Sequence, residues 1–202
     1  IKKCTQIMGR KETDDLAVSQ IFYPVMQASD VFFLGVDICS LGTDQRKVNM
    51  LCREYAKKIK RKPPIILSHH MIMGLDGSDK MSKSSPDNAI FMDDSIADVK
   101  RKIKKAFCPP ELVDGNPLMD WVEHLVLPIN KKIIIPGNKK WDTPEKIFNN
   151  YESFENAYIT GDVHPNDLKL AMIKIINSFL EPVRTYFNQN KKAKQLLKTV
   201  RA

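Results

Sequence analysis

Two short apolar segments joined by one amphipathic segment constrain the fold of this chain more than any other feature. Residues 31–39 (VFFLGVDIC) form a continuous β-rich run, and residues 64–68 (PIILS) form a second one. Such runs are typical of strands buried on both faces, as in a parallel sheet. From about residue 44 to residue 60 the sequence carries an apolar stripe at helical spacing, consisting of Val48, Leu51, Cys52 and Tyr55. The order strand, helix, strand predicts a βαβ unit and therefore an α/β fold.

The chain changes character near residue 94, after which helical signals dominate. Ser95 resembles the first residue of a capping box, and Asn116 and Pro165 open further predicted helices. KKIIIP predicts a short strand, and the last dozen residues, KKAKQLLKTVRA, predict a basic helix. We therefore expect an α/β domain over residues 1–94 and a mainly helical domain over residues 95–202.

Composition narrows the class of protein. The chain has 202 residues, of which 43% are hydrophobic, which is enough for a sizeable core. Lysine and arginine number 32 against 24 acidic residues, so the formal charge of +8 indicates either a polyanionic partner or a solvated surface. The four scattered cysteines predict neither a zinc site nor a disulfide framework, and a reducing, cytoplasmic location fits them best. No apolar run approaches the roughly 20 residues that a membrane span needs, so no membrane partner is expected.

A polar helix face precedes the first predicted strand. Tyr23, Gln27 and Asp30 stand at positions i, i+4 and i+7, which places all three on one side of a helix. A phenol, an amide and a carboxylate near a buried sheet would be costly without hydrogen-bond partners. The spacing therefore indicates either a ligand-binding face or a face that is simply exposed to solvent.

Two loops follow the carboxyl ends of the predicted strands, where ligands bind in open α/β sheets. The first contains Gly42, Asp44 and Gln45, which offer close backbone approach, an acceptor and an amide, although many capping turns have the same composition. The second, GLDGSDKMSKSSPD (74–87), we name the lysine loop. Its glycines and serines predict mobility, and its two lysines are suitable donors for a triphosphate, although most surface loops with two lysines are inert.

Five ordered segments together resemble one protein family. Residues 80–84 carry the KMSKS signature of class I aminoacyl-tRNA synthetases, and within that class the chain is similar to the tyrosyl enzymes of archaeal and eukaryotic type. The resemblance is carried by YPVMQASD, VDICSLGTDQRKVNML, GLDGSDKMSKS, IKKAFCPP and VHPNDLK. It implies the second half of a Rossmann-like parallel-sheet catalytic domain, followed by a mainly helical anticodon-binding domain. It also implies ATP-dependent activation of tyrosine and transfer of the tyrosyl group to tRNA(Tyr).

The resemblance implies roles for residues in both loops and on the polar helix face. Tyr23 and Gln27 would hold the ammonium and carboxylate of tyrosine, a buried Asp30 would accept the phenol hydroxyl, and Gln45 would complete the amino-acid site. Lys80 and Lys83 would act catalytically by stabilising the pyrophosphate leaving group. The implied ATP-binding residues are Gly42, Asp44, Lys80, Met81, Ser82, Lys83 and Ser84. Mg²⁺ would accompany ATP, with no dedicated metal site in the protein.

The helical part contains five residues that the resemblance assigns to the anticodon. These are Cys108, Pro109, Trp141, His164 and Asp167. An aromatic ring can stack on a splayed base while polar side chains read its edge, which is how single-stranded RNA is usually recognised. For Trp141 the alternative is a residue of the hydrophobic core.

The second class I signature, HIGH, does not occur in these residues. We therefore expect the chain to be the second half of a longer polypeptide, inactive without the missing N-terminal half, and the family implies a homodimer. A degenerate half of a duplicated synthetase is one alternative. Tryptophanyl-tRNA synthetase shares the fold and the lysine loop, but Asp30 is poorly matched to an indole. A non-catalytic tRNA-binding module would account for the charge and leave the polar helix face without a purpose.

Overall fold

A parallel pair of strands organises the first of two units in this chain. The computed structural model describes residues 2–11, 13–137 and 144–201, and it divides into the units Ile1–Met71 and Ile72–Ala202. The first unit contains α1 (Lys2–Ile7), α2 (Val18–Phe33), β1 (Ile38–Gly42), a 3₁₀ turn (Thr43–Gln45), α3 (Arg46–Lys58) and β2 (Ile65–His69). β1 and β2 pair in parallel, with Ile38 opposite Ile65 and Gly42 opposite His69. The predicted βαβ unit is confirmed.

The first strand is shorter and more exposed than the sequence predicts. Residues 31–33 belong to α2, because Gly35 adopts a φ of +63° and ends that helix only two residues after Phe33. The expectation that β1 is buried on both faces is also wrong. Ile38 is 54% exposed, since the described residues provide only one strand to pair with β1.

The second unit is mainly helical, as predicted. It contains a 3₁₀ turn (Pro86–Asn88), α4 (Ile96–Lys105), α5 (Pro117–Trp121), a π-helical turn (Val122–Val126), α6 (Leu127–Asn130), β3 (Ile133–Ile135), β4 (Lys146–Phe148), α7 (Tyr151–Ile159), α8 (Pro165–Gln189) and α9 (Lys191–Arg201). β3 and β4 form an antiparallel pair. The largest fully buried side chains of its core include Trp121, Tyr158 and Phe154.

The predicted helix starts are confirmed by their caps. The Ser95 hydroxyl accepts a hydrogen bond from the backbone N–H of Asp98 at 3.1 Å. The Asn116 side chain accepts one from the backbone N–H of Leu118 at 3.1 Å. Each cap satisfies a donor that the first turn of a helix leaves without an intrahelical partner.

The lysine loop packs with the helical core of the second unit. Leu75 is 2% exposed in the core of that unit, and its carbonyl accepts a hydrogen bond from the Phe107 backbone at 2.8 Å. The Trp121 indole donates to the Met73 carbonyl at 2.9 Å. The compact division therefore falls between Met71 and Ile72, before the predicted boundary at residue 94, because apolar contacts of the loop attach it to the helical core.

Candidate active site and candidate RNA surface

The polar face of α2 is joined to the turn after β1 by one hydrogen bond. Gln27 Nε2 donates to Gln45 Oε1 at 2.9 Å, and both side chains are half-buried. Gln45 lies in the 3₁₀ turn that directly follows β1. The structure therefore brings together two of the residues predicted to bind the amino acid, at the carboxyl end of a strand.

Tyr23 and Asp30 lie on the same helix as Gln27 but are open to solvent. Tyr23 is 51% exposed, and Asp30 is also exposed. The expectation of a buried Asp30 is wrong for this unit, because none of its described elements covers the carboxylate. Helical spacing correctly predicts which residues share a face, but it does not predict what covers that face.

The backbone at the end of β1 is tightly enclosed. Gly42 is buried, and a Cβ atom at this position would overlap the Met71 sulfur and lie 2.8 Å from Asp44 Oδ1. A side chain at this position would therefore have to displace the ends of the Met71 and Asp44 side chains. Asp44 stands in the first turn of the 3₁₀ segment, where a carboxylate is favoured by the backbone N–H groups. The sequence identified Gly42 and Asp44, whereas the packing role of Met71 carries no local sequence signal.

The lysine loop exposes its two lysines and internally bonds its serines. Lys80 and Lys83 are exposed, with Ser82 half-buried between them. The hydroxyl oxygens of Ser82 and Ser84 lie 2.6 Å apart, and the Ser84 backbone N–H donates to Ser82 Oγ at 3.3 Å. The loop therefore exposes both lysine side chains on a turn whose serines bond to one another.

Asn88 and Asp76 hold the two ends of the lysine loop together. Asn88 is 7% exposed; its Nδ2 donates to the Asp76 carboxylate at 3.3 Å, and its Oδ1 accepts from the Ser82 backbone at 3.2 Å. Ser78 Oγ donates to Asp76 Oδ1 at 2.6 Å, and this bond, reinforced by the Ser78 backbone N–H, lowers the pKa of Asp76. Sequence reasoning missed Asn88 and Asp76, although an Asp two residues before a Ser is a common turn signal.

The loop glycines are needed for close packing as well as for conformational freedom. Gly74 is buried, and a Cβ there would overlap Ser78 Oγ. Gly77 has a φ of +87°, which disfavours any side chain. The structure thus shows an anchored loop base where the sequence predicted a mobile segment.

A buried ion pair supports the segment that leaves the lysine loop. Lys102 Nζ lies 2.7 Å from Asp94 Oδ2 and donates to the Ala89 carbonyl at 2.9 Å. The same ammonium lies 4.7 Å from the centroid of the Phe91 ring. On the other side, Arg184 Nε of α8 donates to the Asp94 carbonyl at 2.8 Å. The segment after the loop is therefore attached to both α4 and α8.

Four of the residues predicted to meet the anticodon lie in two segments of the second unit. Cys108 and Pro109 are both bonded to Tyr158, whose hydroxyl donates to the Pro109 carbonyl at 2.6 Å and lies 3.3 Å from the Cys108 sulfur. Asn116 Nδ2 also lies 3.3 Å from the Tyr158 hydroxyl. Burial raises the pKa of Tyr158, so its hydroxyl keeps its proton at neutral pH. Tyr158 and Asn116 were missed because their partners are distant in sequence.

The second of these segments lies at the start of α8. His164 is the N-cap residue, and its Nδ1 accepts from the Asn166 backbone at 3.2 Å, while Asp167 is half-buried in the first turn. The adjoining turn lies beside the Cys108 segment, since a Cβ at Gly161 would stand 3.2 Å from Glu111 Oε1. Four of the predicted residues therefore share one end of the unit, and Trp141 lies outside the described residues.

The fold is that of part of a class I aminoacyl-tRNA synthetase, as comparisons with known proteins show. The family model "tRNA synthetases class I (W and Y)" matches residues 1–181, so the chain belongs to this family. Within it, the chain is 52% identical to tyrosine–tRNA ligase 2, cytoplasmic, and 49% identical to tyrosine–tRNA ligase 1, cytoplasmic, both of Arabidopsis thaliana. These matches cover 100% of this chain but only 27% and 53% of the two relatives.

A solved structure agrees with the curated relatives. The Leishmania major tyrosyl-tRNA synthetase in complex with tyrosinol is 43% identical and superposes with a TM-score of 0.82, covering 99% of this chain and 31% of that one. Within the described residues, no helix is both long and apolar enough to cross a membrane.

Proposed function

We propose that this chain is part of a tyrosine–tRNA ligase, which activates tyrosine with ATP to tyrosyl-adenylate and then transfers the tyrosyl group to tRNA(Tyr). One observation carries this proposal. The Gln27–Gln45 hydrogen bond of 2.9 Å holds the polar face of α2 beside the carboxyl end of β1, where a small polar ligand can be bound. The names of the curated relatives and of the solved structure with tyrosinol support the same substrate.

The amino-acid site would consist of residues from α2 and from the turn after β1. Tyr23, Gln27 and Gln45 would bind the ammonium and carboxylate, since amides and phenols donate and accept hydrogen bonds. Asp30 would accept the phenol hydroxyl of tyrosine. When phenylalanine is bound instead, the carboxylate would have no hydroxyl partner. Tyrosyl-tRNA synthetase is a known example of such discrimination against phenylalanine. The exposure of Asp30 in this unit agrees with a pocket completed by a segment that the longer relatives contain.

Activation needs no covalent bond to the protein. The tyrosine carboxylate would attack the α-phosphorus of ATP in line, and the protein would contribute position and charge. Lys80 and Lys83 would stabilise the leaving pyrophosphate, with Ser82 and Ser84 as hydroxyl donors, Met81 in the same turn, and Gly42 and Asp44 near the nucleotide. Mg²⁺ bound with ATP would share the phosphate charge. The anchored base formed by Asp76 and Asn88 would limit the entropy lost when the loop closes on ATP.

The helical part would bind the anticodon of tRNA(Tyr). Cys108 and Pro109 would present backbone and sulfur atoms to a splayed base, and His164 and Asp167 would read its edge, with Trp141 as a stacking candidate. The functional domains would then be residues 1–94 and 95–202, and the complete enzyme a cytoplasmic homodimer.

Tyrosine-dependent ATP–pyrophosphate exchange tests this function. The chain should show no exchange by itself and should gain it when mixed with, or fused to, the preceding half of Arabidopsis tyrosine–tRNA ligase 1. Asp30→Ala should abolish the gain, whereas Asp37→Ala, an exposed carboxylate paired with Lys62 at 3.5 Å, should not. Exchange with tryptophan in place of tyrosine would contradict the proposal. Binding of tRNA(Tyr) without any exchange in the fused protein would favour a non-catalytic RNA-binding module.

A further inference from the structure

The positive charge of this chain is concentrated at its C-terminal end. From residue 182 onward the sequence has no acidic residue, while it has these six basic ones: Arg184, Lys191, Lys192, Lys194, Lys198 and Arg201. The formal charge of the whole chain is +8. All but the first of the six belong to α9, so this short helix is the most cationic element of the second unit.

Three lysines form one stripe on α9. At about 100° per residue, Lys191, Lys194 and Lys198 lie within about 60° of one another around the helix axis. All three are exposed, and their ammonium groups make no hydrogen bond or ion pair with the part of the chain that the structure describes. A stripe of like charges destabilises an isolated helix slightly. The lysine stripe is therefore better suited to binding an anionic partner than to stabilising the fold.

The position of α9 relates this stripe to the proposed anticodon surface. α8 has 25 residues and so extends about 37 Å, from the proposed anticodon residues at its N-terminus to α9, which packs against it. Near its far end, Arg184 bonds to Asp94, just after the lysine loop. α9 therefore begins at the end of α8 opposite to the proposed anticodon residues.

We propose that Lys191, Lys194 and Lys198 form a second RNA contact, which binds backbone phosphates of the tRNA. This inference rests on the proposed function, because it takes the anticodon end of α8 as the first contact. Phosphate contacts fix the position of a nucleic acid without reading its sequence. The stripe would therefore raise affinity for tRNA in general, while Cys108, Pro109, His164 and Asp167 would supply discrimination.

An anionic membrane is the other surface that a basic amphipathic helix can bind. The side of α9 opposite the lysines is only moderately apolar: Leu196 and Val200 are exposed, Ala193 and Leu197 are half-buried, and the helix contains no aromatic residue. Interfacial helices usually bury a wider face with Trp or Phe. The observations therefore favour RNA.

The test compares salt dependence in two triple variants of the full chain. The first is Lys191→Gln with Lys194→Gln and Lys198→Gln, and the control is Lys57→Gln with Lys58→Gln and Lys60→Gln, which removes the same charge elsewhere. Binding of tRNA(Tyr) and of a non-cognate tRNA is measured by fluorescence anisotropy between about 50 and 200 mM KCl. Over this range, an affinity that depends on phosphate contacts falls steeply as the salt concentration rises. Circular dichroism and thermal midpoints verify that both variants stay folded.

We expect the α9 variant to flatten the slope of log K against log salt by about two to three, since each lost phosphate contact removes roughly 0.7 to 0.9. Both tRNAs should weaken equally, and the control should leave the slope unchanged. An unchanged slope in the α9 variant, an equal change in the control, or no binding of tRNA by the parent chain would overturn the inference. So would binding of the parent chain to phosphatidylserine vesicles that is lost in the α9 variant while tRNA binding persists.

The outcomes also separate this inference from the proposed function. If the parent chain does not distinguish the two tRNAs but the slope still flattens, the α9 contact stands and the anticodon assignment fails. If the chain distinguishes them and the slope is unaffected, the assignment stands and the α9 contact fails.

Discussion

The buried ion pair between Lys102 and Asp94 yields a prediction whose size follows from its geometry. The side chains are 4% and 11% exposed, and the ammonium has three contacts: the carboxylate at 2.7 Å, the Ala89 carbonyl at 2.9 Å and the Phe91 ring at 4.7 Å. Lys102→Met keeps a long unbranched side chain but removes the charge. Among the described residues, the Asp94 carboxylate then keeps its hydrogen bond from the Phe91 backbone N–H, at 3.0 Å.

We expect Lys102→Met to lower the free energy of unfolding of the second unit by about 3–5 kcal/mol, because it leaves a buried charge uncompensated. Urea unfolding followed by tryptophan fluorescence measures this loss, since both tryptophans of the sequence, Trp121 and Trp141, belong to residues 72–202. Adding Asp94→Asn should restore part of the stability, because a neutral amide keeps an acceptor for the Phe91 N–H without a buried charge.

The neighbouring arginine provides a matched control on the same helix. Arg101 pairs with Asp87 at 2.8 Å, but these side chains are 43% and 66% exposed. Arg101→Met should therefore cost much less stability than Lys102→Met, because solvent screens an exposed pair. If the two methionine variants were equally stable, burial would not determine the strength of the Lys102 pair, and the reasoning would be refuted.

Three further predictions concern the loops. Asn88→Ala should make trypsin cleave within the lysine loop faster without a matching fall in the thermal midpoint, because the bridge between the loop ends is lost; an unchanged cleavage rate would contradict the anchoring role. Ser78→Ala should raise the pKa of Asp76 toward 3.8, observed by NMR titration. A depressed carboxyl pKa stabilises the folded state at pH values above the pKa of the unfolded chain, and this contribution is lost as the pH falls through the folded-state pKa. The variant should therefore lose less stability in acid than the parent does. Gly42→Ala should lower the free energy of unfolding of the first unit only slightly, since the atoms nearest to the added Cβ are the ends of the flexible Met71 and Asp44 side chains; a large loss in urea unfolding would show that these side chains cannot move aside.

Local chemistry made several features predictable from the sequence. Ser95 and Asn116 start helices because their side chains accept from the next turn, and that interaction involves only neighbouring residues. The parallel pairing of β1 and β2 follows from the helix between them. The face shared by Tyr23, Gln27 and Asp30 is a direct result of helical periodicity.

The tertiary structure decided everything that depends on contacts between distant residues. The bonds of Tyr158 to Pro109 and of Arg184 to Asp94 join segments 49 and 90 residues apart, and no local pattern marks them. The unit to which the lysine loop belongs depends on the burial of Leu75, and the exposure of Asp30 depends on which elements cover α2. The sequence therefore predicted which residues are candidates for the chemistry and determined which helix or loop holds them. Packing determined which of them meet, because burial and long-range hydrogen bonds form only when separate segments of the chain come together.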